Sequence, residues 1–197
     1  MILENLKKRT EKLHREVEAD NLAKYILDHT ITRSQYANLL LANFVAYNAI
    51  ETKAQKNKHL LPTSLMQFAD EAKSTALRTD LKQLGIATNP ELLTADFEIN
   101  SLSQLIGMIY VSEGSMMGGM LIARHLDKCE NLDSQLEHHF FNGKTKDILN
   151  RWKSFTAAVN EVVFTEEEID KAVETANATF KLFDDAFKTD LDLLPAK

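Results

Sequence analysis

Residues 101–128 read SLSQLIGMIYVSEGSMMGGMLIARHLDK, and this stretch decides the fold. Its apolar residues recur at helical spacing, which predicts one long helix from Ser101 to about Lys128. Four of the chain's six glycines lie inside it, at Gly107, Gly114, Gly118 and Gly119. Each glycine in a helix interior costs about 1 kcal/mol relative to alanine. We therefore expect the cluster to interrupt the helix and to serve a purpose.

Two of these glycines point to that purpose. Gly114 and Gly118 are four residues apart, so they share one face of the predicted helix. Without side chains on this face, a flat or bulky molecule can approach the main chain closely. Close packing against another helix through small residues, or a simple kink, is the alternative that the glycines alone leave open.

The remainder of the chain keeps a period of 3.6 residues with no two-residue alternation, which indicates an all-α fold. Helices are predicted over Ile2–Glu18, near Leu22–Leu27, after a capping box at Thr32 and Gln35, up to a glycine cap at Gly85, around Ile148–Val159, and after a second capping box at Thr165 and Glu168. Loops and turns are predicted at Ile86–Asn100 and His138–Gly143, with Pro62, Pro90 and Pro195 between or after helices. At 197 residues, we expect one domain, a multi-helix bundle spanning residues 1–197.

Composition excludes several classes of protein. The net charge of -6 argues against a nucleic-acid partner, because phosphate contacts need a basic face. A single cysteine, Cys129, excludes a disulfide framework and any four-cysteine metal site. We find no signal peptide and no apolar run of the ~20 residues that a membrane helix needs. The sequence therefore predicts a cytoplasmic protein without a membrane partner.

The first predicted helix carries a candidate ligand, His14. Helical geometry places His14 close to Leu3 and Lys7, at the edge of the buried stripe. Lys7 lies two turns earlier, about 10.5 Å along the axis, which is near the span from a porphyrin's centre to its propionates. Glu18, one turn after His14, can accept a hydrogen bond from the imidazole, fixing its tautomer and raising its basicity as a ligand.

On this helix alone, the alternative is a boundary histidine with solvated charges around it, since lone histidines are more often structural than metal-bound. Taken together, the two helices favour a slot. One wall of that slot carries the imidazole of His14, and the other is the exposed main chain of the glycine-rich helix.

Two motifs, in this order, resemble the haem oxygenase family. LKxxTxxxHxxxE at residues 6–18 resembles the proximal helix of these enzymes. YVSEGSMMGG at residues 110–119 resembles the distal helix of their bacterial, biliverdin-producing branch. The similarity extends loosely along the whole chain, including residues 152–155 and the aromatic final helix.

The resemblance implies that His14 is the proximal ligand of the haem iron and that Gly114, Gly118 and Gly119 line the oxygen pocket. Around the haem we then expect Lys7, Thr10, Glu18 and Lys153. Lys7 is the better propionate anchor, whereas an exposed surface position is the alternative for Lys153. Animal-type enzymes carry an aspartate where this chain has Ser115, so the resemblance leaves the distal water network unassigned.

By the same resemblance, haem is both substrate and cofactor. It is cleaved with O2 and electrons to biliverdin, carbon monoxide and iron. No glycine-rich dinucleotide fingerprint follows a strand, so we expect an external electron donor such as ferredoxin, flavodoxin or a flavoprotein reductase. The first helix is basic and could attract an acidic donor as well as the propionates, with a merely solvated helix face as the alternative.

Two rival functions remain open at this point. A di-iron oxygenase on a similar bundle needs two Glu-x-x-His pairs, and only His14, preceded by Glu11, supplies one. A haem carrier or sensor needs only the proximal helix. Because an oxygen pocket is superfluous for a carrier, turnover with a reductant separates a carrier from an enzyme.

Overall fold

The computed structural model describes residues 1–19, 21–89, 94–142 and 144–189. Within these ranges the chain forms α-helices and short 3₁₀ turns and contains no β-strand, which confirms the all-α prediction. The α-helices are α1 (Ile2–Ala19), α2 (Lys24–Leu27), α3 (Arg33–Lys56), α4 (Ala72–Gln83), α5 (Leu102–Leu126), α6 (Thr145–Asn160) and α7 (Glu166–Lys188). The 3₁₀ turns are Lys58–Leu60 and Thr63–Phe68.

Helix ends follow local chemistry, as the sequence predicted. The backbone N–H of Gln35 donates to the Thr32 hydroxyl at 3.2 Å, and the Gln35 side chain accepts from Thr32 N–H at 2.9 Å. The equivalent reciprocal bonds join Thr165 and Glu168 at the start of α7. Gly85 has φ +74° just after α4, the left-handed conformation that glycine adopts most readily. Both capping boxes and the glycine cap are thus confirmed.

The expected interruption of the glycine-rich helix is wrong, because α5 runs unbroken from Leu102 to Leu126. Its first half buries a run of large apolar residues: Leu105, Ile106, Met108, Ile109 and Val111. Full burial of each such side chain contributes about 1.5–3 kcal/mol, which outweighs the cost of about 1 kcal/mol per glycine. Tertiary packing therefore keeps the helix intact.

Gly107 fits the alternative that the sequence left open, close helix packing. A Cβ atom at this position would lie 2.1 Å from the carbonyl oxygen of Ala172 on α7. Only glycine allows the two main chains to approach so closely here. The other three glycines of α5 have no such backbone contact, so the four glycines serve two different purposes.

The core is built on α3, α5 and α7, with α1 packed along α7. The predicted apolar stripe of α1 faces inward, with Leu6 and Val17 buried and Leu3 and Leu13 partly buried. The irregular backbone at 86–89 and 94–100 agrees with the predicted loop. Pro90, Gly143 and Pro195 lie outside the described residues. Together, these elements leave one side of α1 facing α5 across an open cleft.

By length and composition α5 could cross a membrane, a property that the sequence analysis did not assign to it. About 50% of its most apolar window is buried inside the structure. It also carries a buried, ion-paired Glu113 and the close contact of Gly107 with α7. These are features of a core helix, which passes the same test, so the apolarity of α5 is weak evidence for a membrane span.

Candidate active site

A cleft of about 1020 Å³ lies between α1 and α5. We call it the large cleft, and its volume is at the upper end of the range of roughly 300–1,000 Å³ that is usual for ligand sites. The lining includes most of the residues predicted for the site, with aromatic neighbours: Lys7, Thr10, His14, Glu18, Gly114, Ser115, Trp152 and Phe180. The two helices singled out by the sequence therefore face each other.

His14 lies in the α1 wall with 49% of its side chain exposed. Its Nε2 is 3.1 Å from Oε1 of Glu18, the partner that helix spacing predicted. The imidazole also lies against the ring of Phe180, with centroids 5.3 Å apart. The ring is thus held on two sides while its remaining edge faces the cleft. Because Glu18 engages Nε2, ligation of a metal through this atom requires Glu18 to release it.

Lys7 and Thr10 also line the large cleft, and they differ in availability. Lys7 is exposed, so its ammonium group can reach an anion at the mouth of the cleft. Thr10 is 2% exposed, and its hydroxyl donates to the carbonyl oxygen of Leu6 at 2.7 Å. Because the hydroxyl proton of Thr10 is already used within the helix, Thr10 contributes to the shape of the α1 wall rather than a hydrogen-bond donor.

The predicted glycines of α5 present main chain to the site, with Gly114 lining the large cleft. A Cβ at Gly114 would lie 3.7 Å from Trp152, and one at Gly119 would lie 3.8 Å from Phe141. At Gly118 such an atom would meet no neighbour within 4 Å. Gly118 therefore borders open space, as a slot requires.

A second cavity of about 350 Å³ adjoins the large cleft. We call it the aromatic cavity, because Phe140, Phe141, Phe183 and Phe187 are among its lining residues. Gly118 and Gly119 line this cavity and not the large cleft, whereas His14, Glu18 and Ser115 border both. The predicted site is therefore spread over two adjoining spaces that meet between His14 and Ser115.

Ser115 is held by Tyr47 of α3, a residue that was not among the site residues predicted from the sequence. Tyr47 Oη lies 2.5 Å from Ser115 Oγ, and Ser115 itself donates to the carbonyl oxygen of Ser112 at 2.9 Å. A hydroxyl has one proton to donate, so Tyr47 is the donor to Ser115. Burial raises the pKa of Tyr47 above its ordinary value, the bond to Ser115 lowers it, and the carboxylates of Glu51 and Glu113 raise it further.

A signal for Tyr47 was present in the sequence. Asn43, Tyr47 and Glu51 recur every four residues on α3, and all three are buried. Polar groups on a buried helix face are normally hydrogen-bonded, so this spacing indicates internal partners. The sequence did not reveal which partners these are.

Glu113, the residue before Gly114, anchors an ion network that the sequence analysis also missed. Its carboxylate accepts from Lys73 Nζ at 2.8 Å and from Arg151 Nε at 2.7 Å and Nη2 at 2.9 Å. Arg151 reaches Asp70 at 2.9 Å as well. These four residues are referred to as the Glu113 network. Burial alone would raise the pKa of Glu113, but the bonds from Arg151 and the charge of Lys73 bring it below its ordinary value.

One expected haem-site residue and one rival function find no support in the described geometry. Lys153 is exposed on α6 and lines neither of the two cavities described above, whereas the preceding Trp152 lines the large cleft. Among the described residues, no group of three or more histidine, cysteine, aspartate or glutamate side chains could hold a metal ion. The di-iron alternative therefore lacks a ligand cluster in this part of the chain.

The helical bundle thus places a histidine of its first helix and glycine main chain of α5 at one cleft, the two walls that the sequence motifs led us to expect of a haem protein. The sequence profile of the haem oxygenase family matches residues 1–189. The chain belongs to the haem oxygenase family, as its two motifs indicated. It is accordingly an oxidoreductase of haem degradation, with haem as both substrate and prosthetic group.

Individual relatives agree with this assignment. The haem oxygenase PigA of Pseudomonas aeruginosa is 26% identical over 160 residues, covering 78% of this chain and 76% of PigA. The haem oxygenase of Neisseria meningitidis, solved with NO and CO bound, superposes with a TM-score of 0.72 at 20% identity, covering 95% of this chain and 90% of that one. That of Leptospira interrogans gives 0.73 at 17% identity, covering 94% and 98%. The enzyme of Synechocystis, solved in complex with haem, gives 0.68 at 18% identity, covering 94% and 90%.

Proposed function

We propose that this protein cleaves haem to biliverdin, carbon monoxide and iron, using O2 and electrons from an external donor. The observation that carries the proposal is that His14 of α1 and the main chain of α5 at Gly114 line one cleft, which is large enough for the ring. Family membership supports haem degradation. The geometry of these two walls supports cleavage of haem to biliverdin, carbon monoxide and iron.

The residues of the large cleft fit haem by their chemistry. His14 supplies the nitrogen ligand for iron, and Glu18 can orient the imidazole through the ring nitrogen that does not bind the iron. Trp152 and Phe180 offer apolar surface for the ring. The two propionates need cations, and Lys7, Lys8 and Arg15 line the same cleft. We propose Lys7 as the principal anchor, with Thr10 shaping the wall beside it.

Haem, when bound, supplies the iron that takes up oxygen and the ring carbon that is oxidised. Gly114, Gly118 and Gly119 of α5 carry no acid–base side chain. The main chain at these positions therefore limits the orientations that a molecule bound in the site can adopt. Ser115 follows Gly114 directly and lines the large cleft, whereas Glu113 on the other side of Gly114 is buried in its ion network. Because Tyr47 donates to it, the Ser115 oxygen is held in one position and can keep a proton-delivering water in place.

The electron donor is proposed from charge. Five cations lie on α1, at Lys7, Lys8, Arg9, Lys12 and Arg15. Three of them are paired, since Arg9 contacts Asp170, Lys12 contacts Glu16 and Arg15 contacts Glu11. The positive electrostatic potential around α1 is therefore weaker than its sequence indicated. An acidic ferredoxin or flavodoxin, or a flavoprotein reductase, remains our proposal for the donor, within a single-domain cytoplasmic protein that has no nucleic-acid or membrane partner.

The experiment that tests this function is turnover of added haem. We expect stoichiometric haem to give an imidazole-type Soret band, and a reductant in air to convert that band into the spectrum of biliverdin with release of carbon monoxide. A stable complex that survives reductant and air would instead indicate the rival function, a haem carrier or sensor. Chromatography of the pigment identifies the isomer formed.

A further inference from the structure

Two consecutive residue pairs meet where α5 touches α6. Arg151 clasps Glu113 through Nε and Nη2 at 2.7 and 2.9 Å. The next residue on each helix makes the next contact, since a Cβ at Gly114 would lie 3.7 Å from Cζ3 of Trp152. A shift of Arg151 relative to Glu113 would therefore also shift Trp152 relative to Gly114.

The ion pair between Arg151 and Glu113 matters for the position of α6, because few residues of this helix are buried. The buried residues of α6 are Phe155, Ala158 and Val159, all in its second half. Hydrophobic contacts thus fix the end of the helix. In its middle, the pair at Arg151 acts beside the ring contacts of Trp152 with Tyr110 and Phe155, whose centroids lie 5.6 and 5.8 Å away. Trp152 lies between these two fixed regions and lines the large cleft.

The other side of the network is tied to the core. Lys73 donates to Glu113 at 2.8 Å, with only 8% of its own side chain exposed. The backbone N–H groups of Lys73 and Ser74 donate to Glu51 of α3, each at 3.0 Å. Glu113 is therefore held by the start of α4, which is itself hydrogen-bonded to α3. Through its bonds to Arg151, Glu113 in turn holds α6.

Stability alone is a poor explanation for such an arrangement. Burying an ion pair removes hydration from both charges, and well-packed apolar residues often stabilise a protein as well or better. A bidentate arginine–carboxylate pair does confer directional geometry that apolar contacts lack. At this point the network fixes the distance between α5 and α6.

We propose that the Glu113 network positions Trp152 against the bare main chain at Gly114, and so sets the width of the large cleft beside α5. Glu113 and Arg151 are positioning residues here, acting through Trp152 on whatever the cleft holds. The consequence for haem rests on the proposed function, but the position of Trp152 can be measured without haem.

Trp152 is the only tryptophan of the chain, so its fluorescence reports this position directly in the haem-free protein. In Glu113→Gln the isosteric amide removes the charge that holds Arg151. We expect a shifted emission maximum and a larger Stern–Volmer constant for acrylamide quenching. Arg151→Lys keeps the positive charge but loses the planar fork, and it should give a smaller change in the same direction. Far-UV circular dichroism checks that each variant is folded.

The matched control is Asp170→Asn, which breaks an exposed interhelical pair with Arg9 at 2.7 Å. It should leave emission and quenching at the wild-type values. If Glu113→Gln does not fold, Arg151→Lys decides the question alone. Folded variants with wild-type emission and quenching would overturn the positioning role.

A haem titration then separates this inference from the proposed function. In the wild type, bound haem should quench Trp152 by energy transfer, and the positioning variants should bind haem several-fold more weakly with a displaced Soret band. Absence of quenching and of a Soret band in the wild type would count against the haem site, while the haem-free fluorescence would still decide the role of the network. Haem binding and a Soret band identical to wild type in both variants would contradict the effect on cleft width.

Discussion

On the α1 wall of the large cleft, the hydrogen-bond partners of the side chains lie on the same helix, whereas the α5 wall is held by partners far away in the sequence. On α1, His14 is paired with Glu18, four residues away. On α5, Ser115 is held by Tyr47, 68 positions away in the sequence, and Glu113 by Lys73 and Arg151, 40 and 38 positions away. Ligand donors can thus be supplied locally, but the shape of the opposite wall depends on the whole bundle.

This difference predicts that damage to α1 removes a chemical group, while damage to α5 alters geometry. His14→Ala is the most severe test of the α1 wall. We expect loss of the imidazole-type Soret band and a fall in turnover of at least about 100-fold, beyond the 10- to 100-fold usual for partners of a metal ligand. Added imidazole should restore part of the spectrum.

His59→Ala is the control for His14→Ala, because His59 is exposed in the turn Lys58–Leu60 and lines neither cavity. Its absorption spectrum and turnover should match those of the wild type. An unchanged Soret band in His14→Ala would show that His14 is not the ligand. It would also contradict the predicted difference between the α1 and α5 walls.

Gly118→Leu is the corresponding test on α5, at the aromatic cavity that adjoins the large cleft. A Cβ at Gly118 meets no atom within 4 Å, and leucine is favoured over glycine in a helix by nearly ~1 kcal/mol, so the fold should tolerate the change. The new side chain would occupy space in or beside the aromatic cavity, which His14 also borders. We expect ferric haem to bind with an imidazole-type spectrum and biliverdin formation to fall at least about tenfold, equal to ~1.4 kcal/mol. Normal biliverdin production would mean that Gly118 does not border the reacting part of the site.

Gly107→Ala shows that the glycines of α5 are not equivalent. Here the added methyl group would lie 2.1 Å from a carbonyl oxygen of α7, so the helices must separate. Overpacking of this kind costs typically about 1–3 kcal/mol, and we expect a loss of that size in the free energy of unfolding measured with urea. The haem spectrum of the folded fraction should be unchanged. Wild-type stability would contradict the tight α5–α7 contact.

These examples show what the sequence could and could not predict. Helix ends were predictable because capping boxes and glycine caps act over three or four residues, as at Thr32 and Gly85. The contact between His14 and Glu18 was predictable for the same reason, since the two residues are one helical turn apart. The unbroken course of α5 was not, because burial of its other face offsets the glycine cost. Tyr47 and Arg151 were not identified as site residues either, since no local spacing reveals a partner dozens of residues away.

Acid titration tests how the α5 wall is held. The pKa of Glu113 is lowered in the folded state by Arg151 and Lys73, against the effect of burial. A carboxyl group with a lowered pKa stabilises the fold above its ordinary pKa, and this contribution disappears as the pH falls through the folded-state value. We therefore expect the free energy of unfolding of the wild type to depend more steeply on acid pH than that of Glu113→Gln.

Urea unfolding between about pH 3 and pH 6, where glutamates titrate, measures this difference. Burial raises the pKa values of Glu51 and Asp80, so any stability linked to them is present at low pH and lost as the pH rises. Both groups remain in the variant, and the difference between the two curves isolates Glu113. Parallel curves would show that Glu113 is not held as a carboxylate by the network.

The smallest effect is expected for Lys7→Glu on the α1 wall, because an exposed charge interacts through water. Lys7 lines the large cleft, whereas Lys153 is exposed outside both cavities, so Lys153→Glu is the matched control with the same charge change. An exposed ion pair contributes about 0.2–1 kcal/mol, which limits the loss of haem affinity in Lys7→Glu to roughly fivefold. The isomer composition of the biliverdin is the more sensitive measurement, since a propionate anchor fixes the rotation of the ring. Lys7→Glu should change that composition and Lys153→Glu should not. If the two variants give the same affinity and the same isomers, the propionates are held elsewhere, and the α1 wall contributes the ligand for the iron but no anchor.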